Sequence, residues 1–308
     1  MKIFITGGSG FIGSNLSNFL KDQHEITIYD LQPPKDSELN FISGDIQDYK
    51  KLVESSIGHD LVIHLAAAVG VTSTENDPIR TLDFNILGTK QVLEACKINN
   101  IPKIIFASSS EIYGEPISIP ISEDDRATPI TTYGLSKLVA EEYIKAYSNS
   151  TNLKYTILRF FNAYGPGQSL NFVVPNFIHL SLDNNPIEIH SDGSQIRAFC
   201  YITDIINGIS LVLQNGDNDV FNIGNDLEPI SIKELGEKIV SMTNSQHSGI
   251  TIPFSQSNRN RREIIHRTPN IDKARKLLGY KPTVSLHDGI ENIIEEMRDK
   301  KWHYFLMI

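Results

Sequence analysis

The sequence predicts an α/β fold, a doubly wound parallel sheet followed by a smaller mixed α/β lobe at the C-terminal end. Three observations lead to this class. Apolar runs of strand length alternate with helical patterns through the first half of the chain, as in a parallel sheet covered on both faces. The runs 60–65 and 103–107 are apolar rather than alternating, as expected for strands buried on both faces. The first run ends at regularly spaced glycines, which indicate a tight turn from strand to helix.

The elements of the first half follow one another in order. Strands are predicted at 2–6, 25–29, 40–43, 60–65, 103–107 and 154–158, and helices at 11–21, 47–56, 78–99 and 131–149. The helix from Pro78 has proline in its first turn, where it is tolerated. Its apolar residues are too numerous for one buried stripe, so one face is expected to meet another subunit.

The second half is organised differently. The alternation ends after Phe160, where Pro166, Gly167, Pro175 and Pro186 separate shorter elements. The segment 220–223 predicts a strand that returns to the main sheet, and helices are predicted at about 231–243, 270–278 and 286–298. We therefore expect one domain of residues 1–165 plus about 200–223, and a second, substrate-binding domain of 166–199 plus 224–308.

The turn after the first strand is suited to a dinucleotide. Its glycines are spaced Gly7-x-x-Gly10-x-x-Gly13. Gly7 permits the sharp turn, Gly10 removes a side chain that would block the phosphates, and Gly13 allows close packing of the following helix. The helix N-terminus adds free N–H groups and a partial positive charge.

Asp30 supports the same interpretation. It ends the next apolar run, roughly 20 residues past the glycines, where a carboxylate accepts hydrogen bonds from ribose hydroxyls and repels a 2′-phosphate. The chain therefore favours NAD over NADP, although Lys35 lies near enough to soften the preference. Asp45, beside Ile46, is expected either to hold the adenine or only to cap a turn.

Composition excludes several other classes of protein. A net charge of −9 and a pI near 5.5 argue against nucleic-acid binding. The longest apolar run, 61–71, is too short to span a membrane. Cys96 and Cys200 lack the spacing of metal ligands, so we expect no metal and two buried free thiols in a reducing compartment. Met1 leads directly into the first strand, which leaves no room for a signal peptide and favours the cytoplasm.

A proton-transfer group is predicted on the helix that begins near Thr131. Tyr133 and Lys137 are one helical turn apart, so their side chains share a face. The lysine ammonium and the positive nicotinamide ring of a bound NAD are together expected to lower the pKa of the phenol enough for it to accept a proton from a hydroxyl. Three serines, 108–110, follow the strand 103–107 at the sheet edge where ligands bind in this architecture, although they can also serve only as a turn.

Together these residues resemble the extended short-chain dehydrogenase/reductases that modify nucleotide sugars, the NAD-dependent epimerase/dehydratase family. The motifs occur in family order and cover nearly the whole chain. They are Thr6-Gly-Gly-Ser-Gly-Phe-Ile-Gly13, Asp30, Gly44-Asp-Ile46, His64-Leu-Ala-Ala67, Asn85, Ser108-Ser-Ser110, Tyr133-x-x-x-Lys137, Arg159-Phe-Phe-Asn-Ala-Tyr-Gly-Pro166, Asp192-Gly-Ser-Gln-Ile-Arg197 and Lys273-Ala-Arg-Lys-Leu-Leu-Gly-Tyr280.

The resemblance implies a Rossmann-type sheet with bound NAD and a set of site residues. The catalytic group would be Ser109, Glu111, Tyr133 and Lys137. The cofactor would contact Gly7, Gly10, Phe11, Ile12, Gly13, Asp30, Asp45, Ile46, Leu65, Ala66, Ala67, Asn85, Tyr133 and Lys137. The nucleotide sugar, linked to UDP, dTDP, GDP or CDP, would contact Ser110, Asn162, Asn171, Val174, Ile187, Ile189, Arg197 and Arg262.

The resemblance also implies a reaction that begins with oxidation at carbon 4 of the sugar. The resulting 4-keto sugar is then re-reduced from the other face, loses water or loses a carboxylate, and Glu111 is the residue expected to steer this outcome. Two alternatives stay open at this point: a reductase of 4-keto sugars that uses free NAD(P)H, and a non-catalytic protein that binds NAD or a nucleotide sugar as a regulator. In the family fold the helices 78–99 and 131–149 commonly pair between subunits, which implies a homodimer.

Overall fold

The computed structural model of the protein describes residues 1–189, 191–245, 249–251 and 264–306. The strands are β1 Lys2–Thr6, β2 Glu25–Asp30, β3 Asn40–Ser43, β4 Leu61–His64, β5 Lys103–Ser109, β6 Lys154–Phe160, β7 Ala163–Tyr164, β8 Ile187–Glu188, β9 Ile196–Arg197, β10 Cys200–Tyr201, β11 Asp219–Ile223, β12 Ile230–Ser231, β13 Ile250–Thr251 and β14 His266–Arg267. The α-helices are α1 Phe11–Leu20, α2 Tyr49–Ser55, α3 Val71–Asn76, α4 Pro78–Leu82, α5 Gly88–Ile98, α6 Thr132–Ser150, α7 Val173–Leu182, α8 Ile202–Leu211, α9 Ile232–Thr243, α10 Asp272–Leu278 and α11 Leu286–Leu306.

Seven strands form one sheet in the order β11-β6-β5-β4-β1-β2-β3. All neighbours in this sheet are parallel. The strand order reverses between β1 and β4, and in such sheets ligands bind beyond the carboxyl ends of the strands at this point. The predicted Rossmann-type α/β class is confirmed, as is the return of 220–223 to the sheet beside β6.

Each face of the sheet packs against its own helices. Alternate residues of a strand point to opposite faces, so Ile3 and Ile5 of β1 pack with residues of α1 and α8, whereas Phe4 packs with residues of α5 and α6. All three side chains are at most 1% exposed. The central strands are apolar without alternation because both faces are covered.

Three small sheets lie outside the main one. β7 pairs with β10 in parallel, β8 pairs with β13 in parallel, and β9 lies between β12 and β14. Their residues share a hydrophobic cluster with α7, α9 and α11 that also reaches β1 and β2. The division into two domains at the predicted boundaries stays a prediction.

The predicted helix 78–99 is wrong as a continuous α-helix. It consists of α4, a π-helical segment Asp83–Leu87, and α5. At the junction Gly88 lies against Ile46, where an added Cβ would come within 2.4 Å of the Ile46 Cδ1 atom. The π-helical turn contains one extra residue, which changes the side chains that face inward. An argument from the period of an α-helix does not detect this change.

Helices α3, α7 and α8 were not predicted. Pro175 lies in the first turn of α7, where the missing N–H needs no intrahelical partner, so it does not interrupt the helix. Gly208 lies inside α8 rather than in a turn. An added Cβ there would be 2.8 Å from Ile223 Cγ2, so the glycine allows α8 to approach the sheet closely.

Three predictions from composition can be compared with the structure. Cys96 and Cys200 are buried free thiols, as expected, and burial raises the pKa of Cys96 to about 12. Among the placed residues no three His, Cys, Asp or Glu side chains are grouped as metal ligands. No helix in the described part of the chain has the length and apolar character needed to cross a bilayer.

Candidate active site

A large cleft lies beyond the carboxyl ends of the main-sheet strands. Its volume is about 1390 Å³, and it extends from the glycine turn after β1 to side chains of α7, β9 and β14. Pockets for one small ligand usually measure about 300 to 1,000 Å³. The cleft is therefore large enough for a dinucleotide and a second ligand together.

The turn after β1 needs glycine at two positions for its own packing. Gly7 has φ +74°, and an added Cβ would lie 2.5 Å from the backbone nitrogen of Ala66. An added Cβ at Gly13 would lie 2.2 Å from the Gly7 carbonyl oxygen. Gly10 lines the cleft and therefore presents bare backbone to a ligand. The first turn of α1 has no side-chain cap and no acidic residue, so it suits an anion.

Asp30 is held in a fixed position at the end of β2. Its carboxylate accepts hydrogen bonds from the backbone N–H groups of Ser9, at 3.0 Å, and Gln32, at 3.1 Å. The side chain borders the cleft on the same side as the glycine turn. This placement fits a pair of ribose hydroxyls next to a pyrophosphate on α1.

The remaining residues predicted for the cofactor divide into two groups. Those that line the cleft are Phe11, Ile12, Ile46, Leu65, Ala66 and Ala67. Asp45 and Asn85 do not line it. Asp45 accepts a hydrogen bond from the Gln47 N–H in a turn, which is the alternative role considered for it.

Asn85 is 2% exposed and serves the scaffold of the cleft. Its amide oxygen accepts from the Ala68 N–H at 2.7 Å, and its amide nitrogen donates to Ser136 Oγ at 2.9 Å. It thus ties the segment after β4 to α6. The π-helical turn is what directs this side chain inward.

Ser109, Tyr133 and Lys137 meet in the middle of the cleft. Ser109 ends β5, and Tyr133 and Lys137 lie in the first two turns of α6. The Lys137 ammonium donates to the Ala107 carbonyl at 2.8 Å and lies 5.9 Å from the centre of the Tyr133 ring. The Ser109 hydroxyl accepts the Glu111 N–H at 3.2 Å, which leaves its own hydrogen for donation.

Burial determines much of the electrostatics of this group. Burial, followed by the charge of Glu111, raises the pKa of Tyr133, while the Ser109 hydroxyl and Arg267 lower it. Burial lowers the pKa of Lys137 to about 7, and Glu141 opposes that change. Among the chain's own residues, burial has the largest effect on the pKa of both groups, so the pKa of Tyr133 is raised. The lowering expected from Lys137 together with the nicotinamide ring stays a prediction.

Glu111 is fixed by two neighbours. One carboxylate oxygen accepts from the Thr131 hydroxyl at 2.8 Å, and the other lies 3.6 Å from Nη1 of Arg267. Thr131 also caps α6, since its hydroxyl accepts the Gly134 N–H. The side chain of Arg267 is 13% exposed and lines the cleft, and its Nε has no hydrogen-bond partner among the described residues. A buried cation with a donor of this kind is suited to an anionic group.

Five of the residues predicted to contact the sugar nucleotide line the cleft. They are Ser110, Asn162, Asn171, Ile189 and Arg197. The Arg197 guanidinium donates to carbonyls of its own and a neighbouring segment, among them that of Ile264 at 2.8 Å.

Two other predicted residues, Val174 and Ile187, do not line the cleft. Val174 is 1% exposed and Ile187 is fully buried, and both belong to the hydrophobic core, where they support the wall rather than form it. Arg262 lies outside the described residues.

Thr131 and Arg267 were not among the predicted site residues. The sequence could have identified Thr131, because a threonine directly before a helical pattern is a preferred N-cap. No local sequence pattern identifies Arg267. It lies in a two-residue strand whose pairing with β9 brings it next to Ser110, with Nη1 3.5 Å from the serine Oγ across 157 positions of sequence.

Comparisons with known proteins agree with this geometry. Residues 3–224 match the family model described as NAD dependent epimerase/dehydratase. A UDP-N-acetyl-alpha-D-glucosaminuronate decarboxylase of Bacillus cytotoxicus is 31% identical over 317 residues, which cover 97% of this chain and 98% of that protein.

Solved structures are similar along almost the whole chain. The UDP-glucuronic acid 4-epimerase of Bacillus cereus, in complex with UDP-glucuronic acid and NAD, has a TM-score of 0.87 and 32% identity, covering 97% of this chain and 100% of that one. The UDP-glucose 4-epimerase of Thermotoga maritima, with UDP-glucose, has a TM-score of 0.89 and 28% identity, covering 98% and 100%.

Proposed function

Since the chain belongs to the NAD-dependent epimerase/dehydratase family, we propose that it oxidises carbon 4 of a nucleotide-linked sugar and converts the resulting 4-keto sugar into its product. The observation that carries this proposal is the meeting of Ser109, Tyr133 and Lys137 in a cleft large enough for two ligands. The family relation and the geometry of the cleft both support an enzyme.

The residues of the first half of the cleft fit NAD. Gly7, Gly10 and Gly13 with the uncapped start of α1 form a cradle for the pyrophosphate, and the fixed carboxylate of Asp30 suits the adenosine ribose. When bound, NAD supplies the acceptor for the hydride from carbon 4 and a positive charge beside Tyr133. Lys137, which also lines the cleft, would hold the part of NAD next to Tyr133.

The chain's own residues move the proton. Tyr133 takes the proton of the carbon-4 hydroxyl as that carbon becomes a ketone, and Ser109 donates a hydrogen bond to the same oxygen. Because burial raises the pKa of Tyr133, the phenol needs added positive charge, and protonated Lys137 contributes part of it.

The pair of Glu111 and Arg267 favours a substrate with a carboxylate at carbon 6. Arg267 offers a buried charge and an unused Nε donor, and Glu111 lies 3.6 Å from it. A carboxylate held by Arg267 would keep carbon 5 close to Glu111. With such a uronate, the 4-keto stage leads either to loss of carbon dioxide or to re-reduction as the 4-epimer, and decarboxylation is the second candidate that this pair supports.

The test of the proposal is a panel of UDP-, dTDP-, GDP- and CDP-linked sugars, including glucuronates, followed by product mass and stereochemistry. An unchanged mass with inverted carbon 4 identifies an epimerase, loss of water a dehydratase, and loss of carbon dioxide a decarboxylase. Product that appears only with added NADH identifies a 4-keto-sugar reductase. We expect Tyr133→Phe to abolish turnover, and unchanged turnover in this variant would contradict the role of Tyr133. Binding of NAD or a nucleotide sugar with no turnover of any sugar in the panel would support the non-catalytic alternative.

Two further parts of the proposal concern assembly and location. Ile79, Leu87 and Leu135 are 71%, 45% and 45% exposed and lie on adjoining segments, α4, the π-helical turn and α6. We propose that this apolar surface pairs with a second copy in a homodimer, which sedimentation tests. A cytoplasmic location stays a prediction, consistent with buried, unpaired cysteines.

A further inference from the structure

Behind the proposed catalytic residues lies a buried cluster that the proposed reaction does not use. It consists of Ser108, Glu141 and Arg159, which are 3%, 0% and 6% exposed. Charged side chains are rarely buried to this extent unless they are paired. The cluster joins β5, α6 and β6, and two of these elements also carry the catalytic side chains.

The geometry of the cluster is well defined. Arg159 donates to both carboxylate oxygens of Glu141, from Nε at 3.1 Å and from Nη2 at 2.8 Å. The Ser108 hydroxyl donates to the same carboxylate at 2.5 Å. Ser108 and Arg159 are paired residues of neighbouring strands, so both reach Glu141 from one face of the sheet. Such a bidentate pair restricts position as well as charge.

Helix α6 holds the end of β5 at two consecutive residues. Lys137 binds the carbonyl of Ala107, and Glu141, one helical turn later, binds the hydroxyl of Ser108. The next residue of the strand is Ser109. The position of the Ser109 hydroxyl relative to Tyr133 therefore depends on both contacts, and Glu141 provides the one nearer to Ser109.

We propose that Glu141, held by Arg159 and Ser108, is a positioning residue that aligns Ser109 with Tyr133 and keeps Lys137 protonated. This inference rests on the proposed function, in which those three residues move the carbon-4 proton. Glu141 itself does not line the cleft, so it acts through its neighbours.

The charge of Glu141 matters because Lys137 is buried. Burial lowers the pKa of Lys137 to about 7, His64 faces it from β4, and the carboxylate of Glu141 raises its pKa. The other ionisable groups around the two residues are Tyr133 on α6, Arg159 on β6, Tyr113 on the turn after β5, and Glu123, whose carbonyl accepts from Arg159. Without the Glu141 charge, Lys137 loses its proton at a lower pH.

The first experiment compares Glu141→Gln with Glu142→Gln. Glu142 is the adjacent residue of the same helix and, in the part of the chain that the structure describes, forms only a surface pair with Lys145, which makes it a matched control. We expect Glu141→Gln to move the alkaline limb of the kcat profile down by about one pH unit, with about tenfold lower kcat along that limb and KM within about twofold of wild type. Glu142→Gln should match wild type.

A second measurement needs no substrate. The ε-carbon NMR resonance of isotope-labelled Lys137, assigned by its absence in Lys137→Met, reports the protonation of this residue directly. We expect its midpoint near pH 7 in the wild-type protein and about one unit lower in Glu141→Gln. Equal midpoints would overturn the proposed effect on Lys137, even if no nucleotide sugar were turned over and the proposed function had failed.

A third variant covers the case in which Glu141→Gln leaves Arg159 unpaired and prevents folding. Ser108→Ala removes the contact to β5 without leaving a buried charge unpaired. We expect about fivefold lower kcat with unchanged KM and an unmoved pH profile, since the Glu141 charge remains. The control is Ser17→Ala, a buried serine whose hydroxyl has no partner among the described residues and which should match wild type.

Two results overturn the inference on positioning. One is wild-type kcat in Ser108→Ala, whether or not Glu141→Gln folds. The other is a loss of kcat in Glu141→Gln that equals its loss of folded protein while the pH profile stays in place. A wild-type protein that turns over no nucleotide sugar contradicts the proposed function instead.

Discussion

Replacement of Arg267 by methionine is predicted to change which sugars the protein accepts. Methionine keeps the apolar length of the side chain and removes the charge and all five donors. In the structure, the Arg267 guanidinium is next to Glu111 and Ser110, and its buried Nε has no hydrogen-bond partner among the described residues. A substrate carboxylate at carbon 6 would complete its hydrogen bonds, whereas a neutral hydroxymethyl group would not replace that ionic contact.

The expected magnitude follows from the burial of this contact. The side chain is 13% exposed, so solvent and salt screen it little. A hydrogen bond between charged groups contributes about 1.5 to 3 kcal/mol. Since about 1.4 kcal/mol corresponds to a factor of ten, kcat/KM for a glucuronate should fall by about tenfold to 150-fold relative to the matching glucose nucleotide.

The assay is the ratio of kcat/KM for UDP-glucuronate to that for UDP-glucose, or for the corresponding pair with the preferred nucleotide. Arg275→Met is the control, because Arg275 pairs with Asp226 and Asp272 and does not line the cleft. It should leave the ratio unchanged. An unchanged ratio in Arg267→Met, or equal loss on both sugars, would refute a carboxylate-binding role for Arg267.

Three further predictions address the neighbouring parts of the site and the scaffold. Glu111→Ala should abolish chemistry that removes the carbon-5 proton or the carboxylate and should spare simple epimerisation; product mass checks this, and equal loss of both would show no outcome-specific role. Asp30→Ala should raise the affinity for NADP relative to NAD by about tenfold, measured by titration of each coenzyme, because a carboxylate that repels the 2′-phosphate is removed. Stability should fall as the pH drops from 6.5 towards 3, because burial lowers the pKa of His64 to about 3 and only the unfolded chain binds the proton in that range. Urea unfolding should show a smaller pH dependence in His64→Gln, and identical curves would contradict the assignment to this residue.

The predictions from sequence agree best with the structure where a short motif determines the local conformation. The glycine turn, Asp30 and the serines 108–110 were each predicted at the end of an apolar run, and all of them line the cleft. In a parallel sheet the carboxyl ends of the strands share one edge. A motif at the end of any such strand is therefore placed near the others without knowledge of the long-range contacts.

The sequence predictions differ from the structure where the outcome depends on contacts with distant segments of the chain. The helix after Pro78 contains a π-helical turn, and Gly88, which follows this turn, lies against Ile46 of a distant segment. Asn85, expected at the cofactor, binds the backbone of Ala68 instead. Burial raises the pKa of Tyr133, and burial is a property of the folded chain that local spacing does not contain.

By itself, the sequence determined the sheet class, the dinucleotide turn and the face shared by Tyr133 and Lys137, because these depend on residues within a turn or two of one another. Only the tertiary structure brought Arg267 to Ser110 and Glu111, and placed Glu141 between Arg159 and Ser108. Those contacts depend on strand pairing between distant segments, so the spacing of residues within one helix or strand does not predict them. The residues that we propose select the sugar, and those that we propose support the proton transfer, belong to this second group.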